Sequence, residues 1–328
     1  MFQSKSGNVE LNNGYEMPRF GLGTWLSDKG KVQAAVEHAI EHGYRHIDCA
    51  WIYGNEDEVG TAIRNKIQEG VVKREDLFIT TKIWPSFYRP EPMLNCLNQS
   101  LERLQTDYVD QVLLHNPMPF EYKDMQTPAP KDKNEKYIFA KDVHYTDAWR
   151  NLENIFKTTS KIRTIGISNF NIFQVRKVLE MADIKPQTNQ CEMHPYFTNE
   201  KLQKFCKAND IQMTAYCPLG SPGRPGFMKA EEERVLMEAE SVVRISKKYG
   251  KSPAQVLIRL ALDRGLVVIP KSVTPTRIEQ NFDVFDFKLE KDEIDELLNL
   301  NNEYSMRYCA FRGWEHSPFF PWAENYSE

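Results

Sequence analysis

Four ionisable residues stand at or just after the ends of short apolar runs: Asp48, Tyr53, Lys82 and His115. Asp48 closes Arg45-His46-Ile47-Asp48, Lys82 closes Leu77-Phe78-Ile79-Thr80-Thr81-Lys82, and His115 follows Val112-Leu113-Leu114. Lysine and aspartate are almost never fully buried unless paired. A lysine ending an apolar run therefore needs a carboxylate, and Asp48 is the natural partner. A phenol and an imidazole beside that pair make a proton-transfer set. A free tyrosine, with a pKa of about 10, is a poor match to neutral pH. A nearby ammonium favours phenolate, so Lys82 is expected to lower the pKa of Tyr53. His115 would orient the same oxygen. The set suits reduction of a carbonyl, with a hydride reaching carbon while Tyr53 gives a proton to oxygen.

The hydride source should be a nucleotide. Lys271 and Ser272 directly follow the apolar run Val267-Val268-Ile269-Pro270, and Thr274-Pro275 then opens a helix with Arg277 in its first turn. A cation there opposes the helix dipole unless an anion binds between them, and helix N-termini are ready-made anion sites. Lys271, Ser272 and Arg277 together suggest a phosphate monoester such as the 2′-phosphate of NADP.

These residues need a frame that gathers strand ends. Short apolar strands near 20–23, 45–48, 77–83, 109–114, 162–168, 187–191, 212–216 and 267–270 alternate with amphipathic helical stretches near 31–42, from 55, and near 93–104, 145–157, 171–181, 199–209, 235–249 and 252–264. Asn55 with Glu58 resembles a capping box, and Ser252-Pro253-Ala254-Gln255 has an N-cap, Pro at the first helical position and Gln at the third. Eight strand–helix units predict a (β/α)8 barrel, whose active site lies at the C-terminal strand ends. A doubly wound sheet would usually carry a G-x-G-x-x-G turn, and the chain has none. Val9–Met17 reads as a hairpin closing the bottom, with Asn13-Gly14 as its turn. Two long loops (116–144 and 218–229) and an aromatic tail after 302 should wall the mouth. The whole of 1–328 reads as one domain, with 1–19 as the hairpin region and 302–328 as the tail.

Composition narrows the partners. Lys+Arg 42 against Asp+Glu 46 gives a net charge of -4, with no basic excess for nucleic acid. The first residues lack the apolar core of a signal peptide, and no apolar run is long enough to span a bilayer. Cys49, Cys96, Cys191, Cys206, Cys217 and Cys309 are scattered, with no CxxC pair and no histidine at metal spacing. They read as reduced thiols of a cytoplasmic protein, and no metal is expected. Asn98-Gln99-Ser100 and Asn325-Tyr326-Ser327 are read as chance matches to the glycosylation pattern.

Several long motifs in order carry a family resemblance over nearly the whole chain. They are Gly21-Leu22-Gly23-Thr24-Trp25, His46-Ile47-Asp48-Cys49-Ala50 with Tyr53-Gly54-Asn55-Glu56, Gly166-Ile167-Ser168-Asn169-Phe170, His194-Pro195-Tyr196, Tyr216-Cys217-Pro218-Leu219-Gly220-Ser221, and Ile269-Pro270-Lys271-Ser272-Val273-Thr274-Pro275 with Arg277 and Asn281. The sequence resembles the aldo-keto reductases, near the animal aldose and aldehyde reductases. The resemblance implies a monomeric, NADPH-dependent carbonyl reductase without metal. Tyr53 would be the proton donor, Lys82 and Asp48 its tuning pair, and His115 the orienting residue. Ser168, Asn169 and Gln190 would hold the nicotinamide carboxamide, and Tyr216 would stack on its ring. Leu219 and Ser221 would lie over the pyrophosphate. Lys271, Ser272, Arg277 and Asn281 would take the adenosine 2′-phosphate and adenine, with Thr24 and Trp25 beside the cofactor. Trp25, Trp51, Trp84, Asn116, Phe120 and Cys309 would form the substrate pocket.

The departures from the family pattern are Asn116 where Trp usually follows the catalytic His, Trp51 where His is frequent, Cys217 for Ser and Gln280 for an adenine-binding Glu. His115 in place of Glu argues for carbonyl over double-bond reduction. Two other readings compete. A Schiff-base aldolase would use Lys82 as nucleophile, but needs it neutral, whereas Asp48 should keep it charged. A non-catalytic barrel would keep the cofactor without turnover.

Overall fold

Asn13-Gly14 does make the expected turn. Gly14 adopts φ +80, a left-handed conformation that costs glycine little, and its N–H donates to Leu11 O. The turn joins β1 (Asn8–Glu10) to β2 (Glu16–Pro18) in an antiparallel pair. Asn12 and Asn13 then donate to the carbonyls of Pro186, Asp210 and Arg163, which lie just before or at the start of barrel strands. The hairpin thus plugs the N-terminal end. In this computed structural model residues 7–229 and 233–323 are described. The first six residues, the end of the tail and Asn325 lie outside them.

The barrel runs β3 (Leu22–Gly23), α1 (Val32–Glu41), β4 (His46–Asp48), α2 (Glu56–Gln68), β5 (Phe78–Ile83), α3 (Pro90–Leu104), β6 (Val109–Leu114), α4 (Tyr145–Thr158), β7 (Ile162–Ser168), α5 (Ile172–Leu179), β8 (Thr188–Glu192), α6 (Glu200–Ala208) and β9 (Gln212–Tyr216). It continues through α7 (Glu240–Tyr249), α8 (Pro253–Asp263), β10 (Val267–Val268), α9 (Pro275–Phe282) and α10 (Lys291–Glu303). Strands β3 to β10 pair in parallel in chain order. Bridges Phe20–Val268 and Gly23–Lys271 join the first strand to the last, so the sheet closes on itself. Closure explains Gly23: a Cβ there would stand 2.9 Å from Ile269 O. Strands β4, β5 and β6 are buried throughout, as near-continuous apolar runs should be in an all-parallel sheet.

Local expectations fared unevenly. Ser252 and Gln255 form the capping box of α8. Asn55 does not cap α2: its amide donates to Thr24 O, and the Glu58 carboxylate accepts from Gly30 N. Tertiary partners outcompete the local cap. The helix expected over 235–249 is broken at Ala239, where extended backbone (ψ 134) separates a single 3-10 turn, Leu236–Glu238, from α7. Helix α10 was not foreseen, because its apolar stripe is thin. Asn98 lies inside α3 and accepts from Lys161 Nζ.

The tail crosses the C-terminal end of the barrel. Glu192, at the end of β8, is fully buried and accepts from the N–H groups of Tyr308 and Cys309. Asn171 and Gln174 hold Pro321 O and Phe319 O. Trp314 packs edge-on against Phe120 and Tyr137 of the 116–144 loop, at 4.9 and 5.7 Å. Loop and tail thus build one aromatic wall.

Candidate active site

The barrel brings the four leading residues together at its C-terminal end. Asp48 ends β4, Lys82 is the fifth residue of β5, His115 follows β6, and Tyr53 ends the 3-10 turn Trp51–Tyr53. Lys82 Nζ donates to Asp48 Oδ2 at 2.6 Å, to Cys49 O at 2.8 Å and to Tyr53 OH at 3.2 Å. All three ammonium protons therefore have acceptors. The other Asp48 oxygen accepts from Gln190 Nε2 at 2.7 Å. The His115 ring stands edge-on to Tyr53 at 5.8 Å and to Trp84 at 5.2 Å. Its Nδ1 is buried without a hydrogen-bond partner.

Electrostatics correct one expectation. Burial, and then the charge of Asp48, push the Tyr53 phenol well above its ordinary pKa. Losing water costs the phenolate more than the ammonium returns, since Asp48 offsets that ammonium at 2.6 Å. Tyr53 is thus held as the protonated phenol. Burial and the Lys82 charge push His115 well below the usual imidazole range, so it is neutral. A neutral imidazole has one N–H donor and one acceptor.

A cavity of about 930 Å³ opens over this group and runs to α9. Asp48, Tyr53 and His115 line its floor, with Trp25, Trp84, Cys309 and Trp314 among the walls. Ser168, Asn169, Gln190 and Tyr216 form a connected polar edge. Tyr216 OH donates to Asn169 Oδ1, Asn169 Nδ2 donates to His115 O and Ser168 Oγ, and Ser168 Oγ donates to Gln190 O. Leu219 and Ser221 follow on the loop after β9, and Lys271, Ser272, Arg277, Gln280 and Asn281 line the far end. Arg277 sits at the N-terminus of α9, and no ion pair or hydrogen bond from its guanidinium is seen among the described residues. A second cavity of about 870 Å³ lies behind Asn169 and Glu192. It contains none of the four residues, so the chemistry belongs to the first.

Four expected contact residues do not reach the cavity surface. Thr24 is fully buried, its hydroxyl donating to Asp48 O. Trp51 turns outward, with Nε1 on Gln99 Oε1 and its ring on Phe87. Phe120 lies behind Trp84, stacked at 6.0 Å. Asn116 is fully buried because its Oδ1 accepts from Met118 N and its carbonyl accepts from Tyr88 OH. The departure at Asn116 therefore fixes a loop turn rather than a pocket wall. Lys82 likewise acts from behind the surface. Sequence reasoning missed the walls made by Ile52, Tyr137, Met228, Met237 and Arg312. Their only signal is position: Ile52 precedes Tyr53, and the others lie in or near the long loops and tail. Cys217 and Cys309 both line the mouth, with sulfurs 3.5 Å apart, and all six cysteines are free thiols.

Comparison with known proteins settles the lineage. Residues 18–302 match the model of the aldo/keto reductase family. The chain belongs to that family. It is 41% identical over 297 residues to human aldo-keto reductase family 1 member A1, covering 90% of each chain. It is 42% identical over 326 residues to rat aldo-keto reductase family 1 member C15, covering 98% of each. Among solved structures it resembles the aldose reductase of Schistosoma japonicum, with a TM-score of 0.88 at 38% identity, over 97% of this chain and 99% of that one. As an aldo/keto reductase the chain is an oxidoreductase of carbonyl compounds, and its (β/α)8 fold is the one the alternating strands and helices predict.

Proposed function

We propose that the protein reduces aldehydes and ketones to alcohols with NADPH, binding cofactor before substrate, and that Tyr53 supplies the proton. The observation that carries this reading is the Tyr53 hydroxyl, on the cavity floor, 3.2 Å from Lys82 Nζ. The far end of the cavity fits a nucleotide phosphate: Arg277, at a helix N-terminus and without an ion pair among the described residues, lines it with Lys271, Ser272 and Asn281. A reduced nicotinamide bound along the Ser168–Tyr216 edge would supply the hydride.

The chain's own residues do the rest. Tyr53, held protonated, donates to the carbonyl oxygen. As that proton leaves, the phenolate gains the Lys82 ammonium as its closest charge, and Asp48 and Gln190 keep the lysine in place. Neutral His115 gives the same oxygen an N–H bond and orients it. Six free thiols support a reducing, cytoplasmic setting, and the protein is proposed to act as a monomer. NADPH oxidation against a panel of sugar, lipid, prostaglandin, retinoid and steroid carbonyls tests the activity. Arg277→Ala is expected to raise the KM for NADPH by about ten- to a hundredfold, from the 1.5–3 kcal/mol of a charge-assisted bond, and to leave NADH unchanged. Equal loss with both cofactors would remove the phosphate assignment.

A further inference from the structure

Outside the barrel mouth, one cluster combines ligand types that the mechanism does not use. His38 and His42 lie four residues apart on α1, so they share one helix face. Two imidazoles at this spacing can share one ion, although no cysteine accompanies them. Donor atoms of His38, Glu41 and His42 all lie within 4.8 Å of one another. Glu279, on α9, reaches across: its Oε1 is 2.8 Å from His38 Nε2 and 3.7 Å from His42 Nε2. The two rings lie 4.0 Å apart.

We propose that His38, His42 and Glu279 form a binding site for a divalent transition-metal ion that clamps α1 to α9. Imidazole and carboxylate suit ions of the zinc type. Ligands at 2.0–2.2 Å from a tetrahedral ion stand about 3.3 Å apart. The two contacts to Glu279 straddle that spacing, so side-chain shifts would bring its carboxylate to the ion beside the His38, Glu41 and His42 donors. His42 is already set up as a ligand: its Nδ1 is 2.8 Å from His38 O. That bond puts the proton on Nδ1 and leaves the Nε2 lone pair free, as metal-bound histidines require. His38 needs only a tautomer change, moving its proton from Nε2 to Nδ1. Glu41 is the reserve carboxylate, since it is also held by Lys66. Water would fill the remaining position.

The clamp has a consequence for the cofactor. Glu279 sits between Arg277 and Asn281, both of which line the far end of the main cavity. An ion holding Glu279 against α1 would pre-order that helix, and binding of metal and of nucleotide would favour each other reciprocally. This part rests on the NADPH assignment, whereas metal binding does not.

The test is calorimetric titration of the metal-stripped full chain with Zn²⁺, first without and then with NADPH. One ion per chain is expected, with affinity falling about tenfold or more in His38→Ala and in His42→Ala. Unchanged melting of both variants without zinc would show that they fold. NADPH affinity should tighten about fivefold with zinc, and Glu279→Gln should abolish that gain. Zinc uptake that survives both histidine substitutions, for example at the Cys217 and Cys309 thiols, would overturn the site. Uptake at the histidines with no change in NADPH affinity would overturn the clamp. A chain that binds zinc but no NADPH at all would instead sink the cofactor assignment.

Discussion

At each end of this barrel a buried aspartate pairs with a cation beside a tyrosine. At the bottom, Asp110 Oδ2 accepts from Arg74 Nη2 at 2.8 Å and Ile79 N at 2.9 Å, while Oδ1 accepts from Tyr15 OH at 2.8 Å. Arg74 spends its other donors on Thr106, Leu77 and Tyr108. At the top, Lys82 pairs with Asp48, but Tyr53 meets the cation rather than the carboxylate. Burial raises both phenols, and a nearby aspartate adds to each. The difference lies in where the phenolic proton points. Tyr15 gives its proton to Asp110 and is locked. Tyr53 has an ammonium as neighbour, so its own proton is left for a ligand in the cavity. Similar components make a bolt at one end and an acid at the other.

Removing the cation at each end should separate the two roles most strongly. Breaking a buried pair typically costs about 3–5 kcal/mol, and both Lys82→Met and Arg74→Met should show losses of that order in chemical denaturation. Only Lys82→Met should also lower kcat, by about 10²–10⁴. Comparable kcat losses from the two would erase the distinction.

Acid should act on both ends alike. In the unfolded chain an imidazole takes a proton below about 6.5. In the folded protein burial holds His46, near the bottom, to about 4 and His115, at the top, well below the ordinary range. Between pH 6.5 and 4 the unfolded state therefore binds more protons, and stability falls as pH falls. The expected slope is about 1.4 kcal/mol per pH unit for each histidine. Denaturation midpoints between pH 7 and 5 for His46→Asn and His115→Asn should each show a shallower slope, while only the latter loses turnover. A parent protein with flat stability over that range would contradict the burial argument.

The smallest effect belongs to the bottom tyrosine. Tyr15→Phe deletes one donor to Asp110 and should cost about 0.5–1.5 kcal/mol in a urea melt.

Much of this is legible in the sequence alone. Alternating apolar runs and amphipathic helices announced the barrel, and polar residues at strand ends announced the chemistry, because strand ends converge in such a fold. Loop geometry was less legible. Asn116 looked like pocket wall by its place after His115, yet Tyr88 and Met118 draw it inward. Trp51 opens the turn that Tyr53 ends, but its indole faces Gln99. Position along the chain does not say which way a loop side chain turns; long-range partners decide it. The sign of the Tyr53 shift was misjudged for a related reason. Proximity to Lys82 was readable, but the depth of burial that outweighs it was not.

The central claim is that Tyr53, and not the bottom tyrosine Tyr15, is the proton donor. The most direct measurement is kcat for NADPH-dependent aldehyde reduction by Tyr53→Phe and Tyr15→Phe side by side, with NADPH binding measured in both. Tyr53→Phe should bind NADPH and lose about 10²–10⁴ in kcat, while Tyr15→Phe keeps its rate. Turnover by Tyr53→Phe close to the parent rate would contradict the account.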